Sequence, residues 1–438
     1  MKDGKKTGLI LLVSSHADQA GCLIHEEVMR LLAANPQHQG RYQHRQVNER
    51  LIYLDGSGFS TDVDLIIFLS RHASKEPRSV LTVHVTGNYG EAVFGGSPGT
   101  LTPAATAMMH AIMNRLVKEV PEGYEVTYEA THHGPTNLPV PSCFVEVGST
   151  EYEWQDRNAA AAVARAVIGA EPGRIVSLAG FGGTHYAQRQ TEIALTTRGG
   201  FGHIIPTRDL IHLDQAMFNT IITETAADAV YIDRKSVSRD DIRRIEEYAT
   251  EQDLIVVGQS DLQNMRNLSF PEYCSIRRMA EEILPGFSVT VHDIRNANSL
   301  ITVTIPSDLI AEAAKIDPDG LSAGLETLPV VHLSGKGIAY YPTFITNQEN
   351  ALYITNELIH FCVSILHRNC SCRFDGDCLI ITREKFDPEI AISLGIAPGP
   401  EFGKLMAGEV IVSQGRKVTP AMVMKVTEKR ICIPGWGT

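Results

Sequence analysis

Through the first 258 residues, short β-branched runs alternate with longer stretches of helical periodicity, and this rhythm constrains the fold more than any other property of the chain. Strands separated by helices are the mark of βαβ units, so a largely parallel sheet covered by helices follows. The runs predict strands over 9–13, 63–69, 80–85, 125–129, 144–147, 175–179, 203–206, 229–232 and 254–257. Between them the spacing predicts helices over 21–34, 103–120, 156–168, 187–197, 214–225 and 239–250, the second beginning with Thr102 as N-cap and Pro103 in its first turn. The expected class is α/β, as a three-layer α/β/α sandwich with a mostly parallel sheet.

Beyond Val257 the pattern changes. Residues 258–264 read as a polar loop, and 288–292 and 301–305 alternate as hairpin strands do. A chain of 438 residues exceeds what one core usually fills, so a boundary is expected here. It leaves a catalytic domain at 1–258 and a smaller α+β domain at 259–438. No internal repeat is visible.

Hydrophobic residues make up 43% of the chain and charged residues 21%, as in ordinary globular proteins. The net charge of −12 excludes a protein that grips nucleic acid through a blanket of positive charge, so any such partner must meet a local patch. The basic start, Met1 to Lys6, is followed only by the short apolar run Leu9 to Val13. That run is too short for a signal peptide or a spanning helix, and a cytoplasmic protein without a membrane partner is expected. The eight cysteines are expected to be reduced thiols, with a metal knuckle at Cys370, Cys372 and Cys378 as the alternative.

The chemistry concentrates around Thr131-His132-His133-Gly134-Pro135 and the acid of Cys143-Phe144-Val145-Glu146-Val147. Imidazoles on a Gly-Pro turn beside a strand-borne carboxylate are what a metal-assisted hydrolase needs. Glu146, flanked by apolar residues, must be paired, protonated or bound to a cation; a salt bridge to Arg71 or Arg189 is the competing account. His84 alternates with Leu81, Val83 and Val85 and so turns away from the apolar side of its strand. His185 closes the turn Gly180 to Tyr186, whose Gly182 and Gly183 offer backbone N–H groups to an oxyanion, and His203 opens another strand. For each histidine a satisfied core imidazole competes. Together His84, His132, His133, Glu146, His185 and His203 fall at strand ends of one predicted sheet and form a candidate ligand set for one or two Zn²⁺ ions. Catalysis is assigned to His132, His133, Glu146 and His185. No helical H-E-x-x-H is present, which disfavours a zincin peptidase.

In the segments Phe68 to His72, Leu81 to Asn88, Thr131 to Glu151, Gly180 to Arg189 and Phe201 to Pro206, the chain resembles the archaeal-type D-aminoacyl-tRNA deacylases. The resemblance implies a zinc-dependent hydrolase that cleaves the ester between a D-amino acid and the tRNA 3′ end, on a core similar to the phosphorylase/hydrolase group. Gln19 and Gln188 depart from it, standing where proline is common. Substrate contacts are expected at Arg71, Asn88, Gly182, Gly183 and Arg189, with Lys75 and Arg78 as further phosphate contacts. Residues 395–405 are similar to a loop in zinc endonucleases that process tRNA 3′ ends, although a Pro-Gly turn before a short helix explains the same residues. The rival functions are a metal-dependent amidase or esterase acting on small molecules, and a non-catalytic tRNA-binding protein. A monomer or small homo-oligomer is expected.

Overall fold

The computed structural model describes residues 8–75 and 77–436, so the basic segment Met1 to Lys6 lies outside the described residues. The chain divides into two compact units, Met1–Gln263 and Asn264–Thr438, five residues beyond the expected boundary.

The first unit contains β1 (Ile10–Ser15), β2 (Tyr42–Val47), β3 (Leu65–Ala73), β4 (Val80–His84), β5 (Gly87–Asn88), β6 (Thr100–Leu101), β7 (Glu125–Tyr128), β8 (Ser142–Ser149), β9 (Val176–Phe181), β10 (Gly199–Ile205) and β11 (Ala229–Ile232). They form two main sheets rather than one: six strands ordered β2-β1-β3-β8-β4-β7, and three ordered β10-β9-β11. The central sheet is mostly parallel, but β4 runs antiparallel to β8. Helical periodicity placed the helices well. Asp156, Asp214 and Ser238 each accept hydrogen bonds from the first-turn N–H groups of the helices Arg157–Ile168, Gln215–Thr225 and Arg239–Glu251. The helix expected from Pro103 instead runs Thr106–Glu119 after Ala105, because the Thr102 hydroxyl is turned to the Thr86 carbonyl, 3.0 Å away. Gln19 and Gln188 each open a helix, at the position where proline is favoured for its fixed φ, and the Gln188 N–H donates to the Tyr186 carbonyl (2.7 Å), a bond proline could not make. Residues 254–257 form no strand; Val256 bridges to Val230. Residues 259–264 are a short helix rather than a loop.

One face of the central sheet packs Leu11, Val13, Ile66, Phe68 and Phe144 against Leu51, Phe59, Leu138 and Val140 from the connecting segments. Strand register extends this face toward the site. Phe68, Ser70 and His72 of β3 lie opposite Phe144, Glu146 and Gly148 of β8, while Thr82 and His84 of β4 lie opposite Glu146 and Phe144. A period of two therefore carries one face from apolar rings to titratable groups along three adjacent strands.

The second unit has its own core, in which Phe344, Leu309, Leu325, Leu379 and Ile431 surround the helix Ala351–Asn369. Its sheets are antiparallel, and the alternating segments Ser288–His292 and Leu300–Thr304 pair with Val330–Ser334 and Thr343–Asn347 rather than with each other. Cys378 and Cys432 face one another across paired strands and are joined as a disulfide, which corrects the expectation of reduced thiols for these two and removes Cys378 from any metal knuckle, while the other six cysteines are thiols. No helix among the described residues is long and apolar enough to cross a membrane.

Candidate metal centre

The chain bends from β7 into the turn that carries the paired imidazoles, and this turn is tied on every side. Thr131 N–H donates to the Ile204 carbonyl (3.0 Å), Ala130 N–H to the His185 carbonyl (2.8 Å) and Gly87 N–H to the His133 carbonyl (2.9 Å). His133 sits at φ 47°, in the left-handed region that side chains avoid, so its ring is aimed by a backbone held against its preference. The β9–β10 sheet edge thereby meets the end of the central sheet at the histidines.

Three imidazoles present their Nε2 atoms to one space. The Nδ1 of His132 lies 2.8 Å from the Ala130 carbonyl oxygen, that of His133 2.7 Å from Gly134 O, and that of His84 3.2 Å from Val85 O. A carbonyl can only accept, so each Nδ1 carries a proton, which leaves Nε2 as the atom free to ligate when the ring is neutral. The His84 Nε2 is buried without a hydrogen-bond partner. Burial and the neighbouring His133 and His84 rings hold His132 well below the usual imidazole range, and burial with His84 takes His133 down to about 4. Both are thus neutral, the ligating form, whereas for His84 burial is outweighed by Glu146 and Glu129, which raise its pKa, so His84 would give up a proton on binding a cation.

Two carboxylates face these rings. Glu146 Oε2 lies 3.6 Å from His72 Nδ1 and 3.7 Å from His84 Nε2, so imidazoles, not Arg71 or Arg189, compensate this buried acid. Glu129 is 1% exposed, and neither of its oxygens receives a well-directed hydrogen bond, although His72 Nδ1 is 3.0 Å and His185 Nε2 3.1 Å away. Burial works against ionising either acid, but the histidines outweigh it: Glu146 is held at about 2, and Glu129 well below the carboxylate range. Burial likewise opposes a charge on His72, whereas Glu129 and Glu146 push its pKa up to about 12. A buried carboxylate with unsatisfied oxygens beside lone-pair nitrogens fits a cation. Three overlapping groups bring candidate ligand atoms together: His84 with His132 and His133, His72 with Glu129 and His185, and His84 with Glu129 and Glu146. His72, whose Nε2 also lies 2.9 Å from the Tyr186 hydroxyl, would have to release its proton to serve. These buried His/Glu groups could hold a metal ion.

The cluster opens into a cavity of about 630 Å³ lined by His72, His132, His133, Glu146, His185 and Tyr186, with Arg50, Arg71, Lys75 and Arg208 also in its wall. His132 and His185 are its half-open members, with side chains 25% and 28% exposed.

Several expected site residues lie elsewhere. His203 is fully buried with both ring nitrogens engaged, Nε2 on the Thr102 carbonyl (2.8 Å) and Nδ1 on the Thr131 hydroxyl (3.1 Å), so it has no lone pair to give and is withdrawn as a ligand. Gly182 and Gly183 do adopt left-handed φ of 95° and 92°, but their N–H groups are taken by the Ile205 carbonyl and by the Thr207 and Ser236 hydroxyls, which leaves none for an oxyanion. Asn88 is buried, donating to the Gly95 and Ser97 carbonyls. Arg189 pairs with Glu192 and Gln259, and Arg78 pairs with Glu125 and covers the Tyr186 ring. Only Arg71 and Lys75 of the four expected phosphate contacts line the cavity. His72 and Glu129, in contrast, escaped the sequence reading. Their signal was position: each stands at the carboxyl end of a strand on the polar side of its alternation, and Glu129 precedes the paired histidines by three residues.

A family model described as D-aminoacyl-tRNA deacylase matches residues 59–257. The chain is 51% identical over 427 residues to a protein of Methanospirillum hungatei named D-aminoacyl-tRNA deacylase, covering 97% of each, and 44% identical to one of the same name from Methanoculleus marisnigri, covering 97% of this chain and 98% of that one. Among solved structures it is similar to a crystal structure of a conserved protein of unknown function, at 33% identity and a TM-score of 0.54, covering 58% of this chain and 96% of the other. With half its residues shared along almost the whole length of such a relative, the chain belongs to the D-aminoacyl-tRNA deacylase family.

Proposed function

We propose that the protein hydrolyses the ester joining a D-amino acid to the 3′-terminal ribose of tRNA, and that it does so with one or two zinc ions. The observation that carries the reading is a cluster of five histidines and two buried carboxylates in overlapping ligand groups, of which His72, His132, His133, Glu146 and His185 line one cavity, in a chain of this family. The nitrogen-and-carboxylate donor set favours zinc over magnesium or calcium, which prefer all-oxygen surroundings. When bound, zinc supplies Lewis-acid polarisation and acidifies water at neutral pH.

The protein's own groups then have distinct tasks. His84, His132 and His133 would hold one ion, and His72, Glu129 and His185 a second. Glu146 lines the cavity, and its carboxylate would take a proton from the attacking water. Water adds to the ester carbonyl, the bond to the ribose oxygen breaks, and that oxygen leaves as a hydroxyl carrying the proton that Glu146 would have taken. Arg71 and Lys75, joined by Arg50 and Arg208, supply the local positive patch that a chain of net charge −12 needs to meet tRNA phosphates. The core is proposed to be an α/β/α sandwich of the phosphorylase/hydrolase kind, residues 1–258 its catalytic domain and 259–438 a further contact to tRNA. The enzyme would act in the cytoplasm, where aminoacyl-tRNA is found.

D-tyrosyl-tRNA and L-tyrosyl-tRNA, each offered with and without chelator, test the reading. Rapid turnover of the D-form alone, abolished by chelator and restored by zinc, is expected. Equal turnover of both would favour a general esterase, and a protein without turnover that still retains tRNA would be a binding protein only.

A further inference from the structure

An exposed phenylalanine stands at the mouth of the cavity. Phe94 is 59% exposed and lines the cavity, and Val93 beside it is 69% exposed. Such rings are normally withdrawn from water, and a flexible loop could fold this one away. The loop cannot, because it is tied down along its length. Gly99 N–H donates to the Gly90 carbonyl (3.0 Å) and closes its base; the Asn88 amide donates to Gly95 O and Ser97 O; Ser97 N–H donates to the Thr136 hydroxyl (2.8 Å). Gly134 N–H donates to the carbonyl of Phe94 itself (3.2 Å), so the turn that bears His132 and His133 also holds the ring. Gly95 has φ 82°, and a Cβ there would overlap the Ile52 carbonyl. The aromatic is displayed by a rigid frame.

Its surroundings say what it is displayed to. The same cavity wall carries Arg50, Arg71, Lys75 and Arg208, and Arg50 also covers the ring of Tyr53, which is 54% exposed. An exposed ring among cations beside a reaction centre fits an unpaired nucleotide, whose base stacks on the ring while its phosphate meets the charges. We infer that Phe94 is the stacking platform for the 3′-terminal adenine of tRNA, setting the ester over the imidazoles. The inference rests on the proposed deacylase reading. It makes Phe94 a substrate-binding residue and Asn88 its positioning residue, one that acts through the loop.

An oligoribonucleotide ending in CC-2-aminopurine separates the two claims, because 2-aminopurine fluorescence falls when the base stacks and no hydrolysis is needed to see it. Wild-type protein is expected to quench the probe; Phe94→Ala should bind it roughly ten- to a hundredfold more weakly without quenching, and Phe94→Trp should quench again. In parallel, Phe94→Ala should raise KM for D-tyrosyl-tRNA by a similar factor with metal content unchanged. Absent quenching by wild-type protein, or equal quenching by Phe94→Ala, overturns the inference whether or not the enzyme deacylates. Quenching lost in Phe94→Ala by a protein that leaves D-tyrosyl-tRNA intact upholds the stacking and overturns the deacylase reading. The ring is largely exposed, so little packing is lost on truncation, and an unchanged circular dichroism spectrum verifies the fold.

Discussion

At the residue scale, an imidazole's usefulness to a cation is decided by what its other nitrogen touches. His132 and His133 spend Nδ1 on backbone carbonyls and keep Nε2, whereas His203 spends both. Replacing His132 or His133 by Ala is therefore expected to lower bound metal and to reduce deacylation at least a hundredfold, with little loss of stability for the half-open His132. Metal analysis and a turnover assay check this, and a fully active, fully loaded variant would remove that residue from the centre. His203 predicts something different. Burial holds it at about 4, against ~6.5 in an unfolded chain. The unfolded state thus takes the proton first, so the contribution is complete above pH ~6.5 and is lost as the pH falls toward 4, amounting to about 3 kcal/mol. Urea unfolding at pH 7 and 4.5 should show a smaller difference for His203→Gln than for wild type; an equal difference would mean that His203 titrates normally.

Elements explain why some of this was legible and some was not. Periodicity of two located β3, β4, β7 and β8 and put His84 on the polar side of its strand, because alternation is a local property. Direction is not local: β4 alternates in the same way whether it runs parallel or antiparallel to β8, so neither the reversal nor the separate three-stranded sheet could be read. For the same reason Glu129 passed as an ordinary strand end, since only pairing across strands brings it to His72 and His185. The edge strand Tyr42–Val47, exposed and polar except for Tyr42 and Val47 at its ends, gave no alternating apolar signal. The histidine turn was conspicuous as composition, but its rigidity comes from interlocking with a second segment. A Cβ on Gly134 would lie 2.7 Å from the Ile52 carbonyl oxygen and closer still to the Gly96 nitrogen. Gly134→Ala is accordingly expected to cost about 1–3 kcal/mol and to weaken metal binding by displacing His133. Thermal unfolding together with metal titration tests it, and wild-type values in both would show that the interlock is slack.

For the whole molecule, charge sets the terms on which tRNA is met. A net charge of −12 repels a polyanion at long range, so binding must come from the few cations gathered where the ester has to be placed. Arg50, Arg71, Lys75 and Arg208 share one cavity wall, and Arg71 is steadied over the Trp154 ring, 4.7 Å from its centroid. Binding of a single strand releases counterions in proportion to the phosphates neutralised, with a slope of about −0.7 per contact in a plot of log K against log salt. Four such contacts give a slope of about −3. Each of Arg71→Ala and Lys75→Ala should flatten that slope by about 0.7 while weakening different tRNAs alike, because phosphate contacts carry no sequence information. Anisotropy titrations of uncharged tRNA between about 50 and 200 mM salt measure it. A slope much steeper than four contacts allow would place the main charge contacts beyond the cavity and turn attention to the surface of the second unit. One unmoved by either substitution would leave Arg71 and Lys75 as solvated bystanders and require the ester to be positioned by stacking alone.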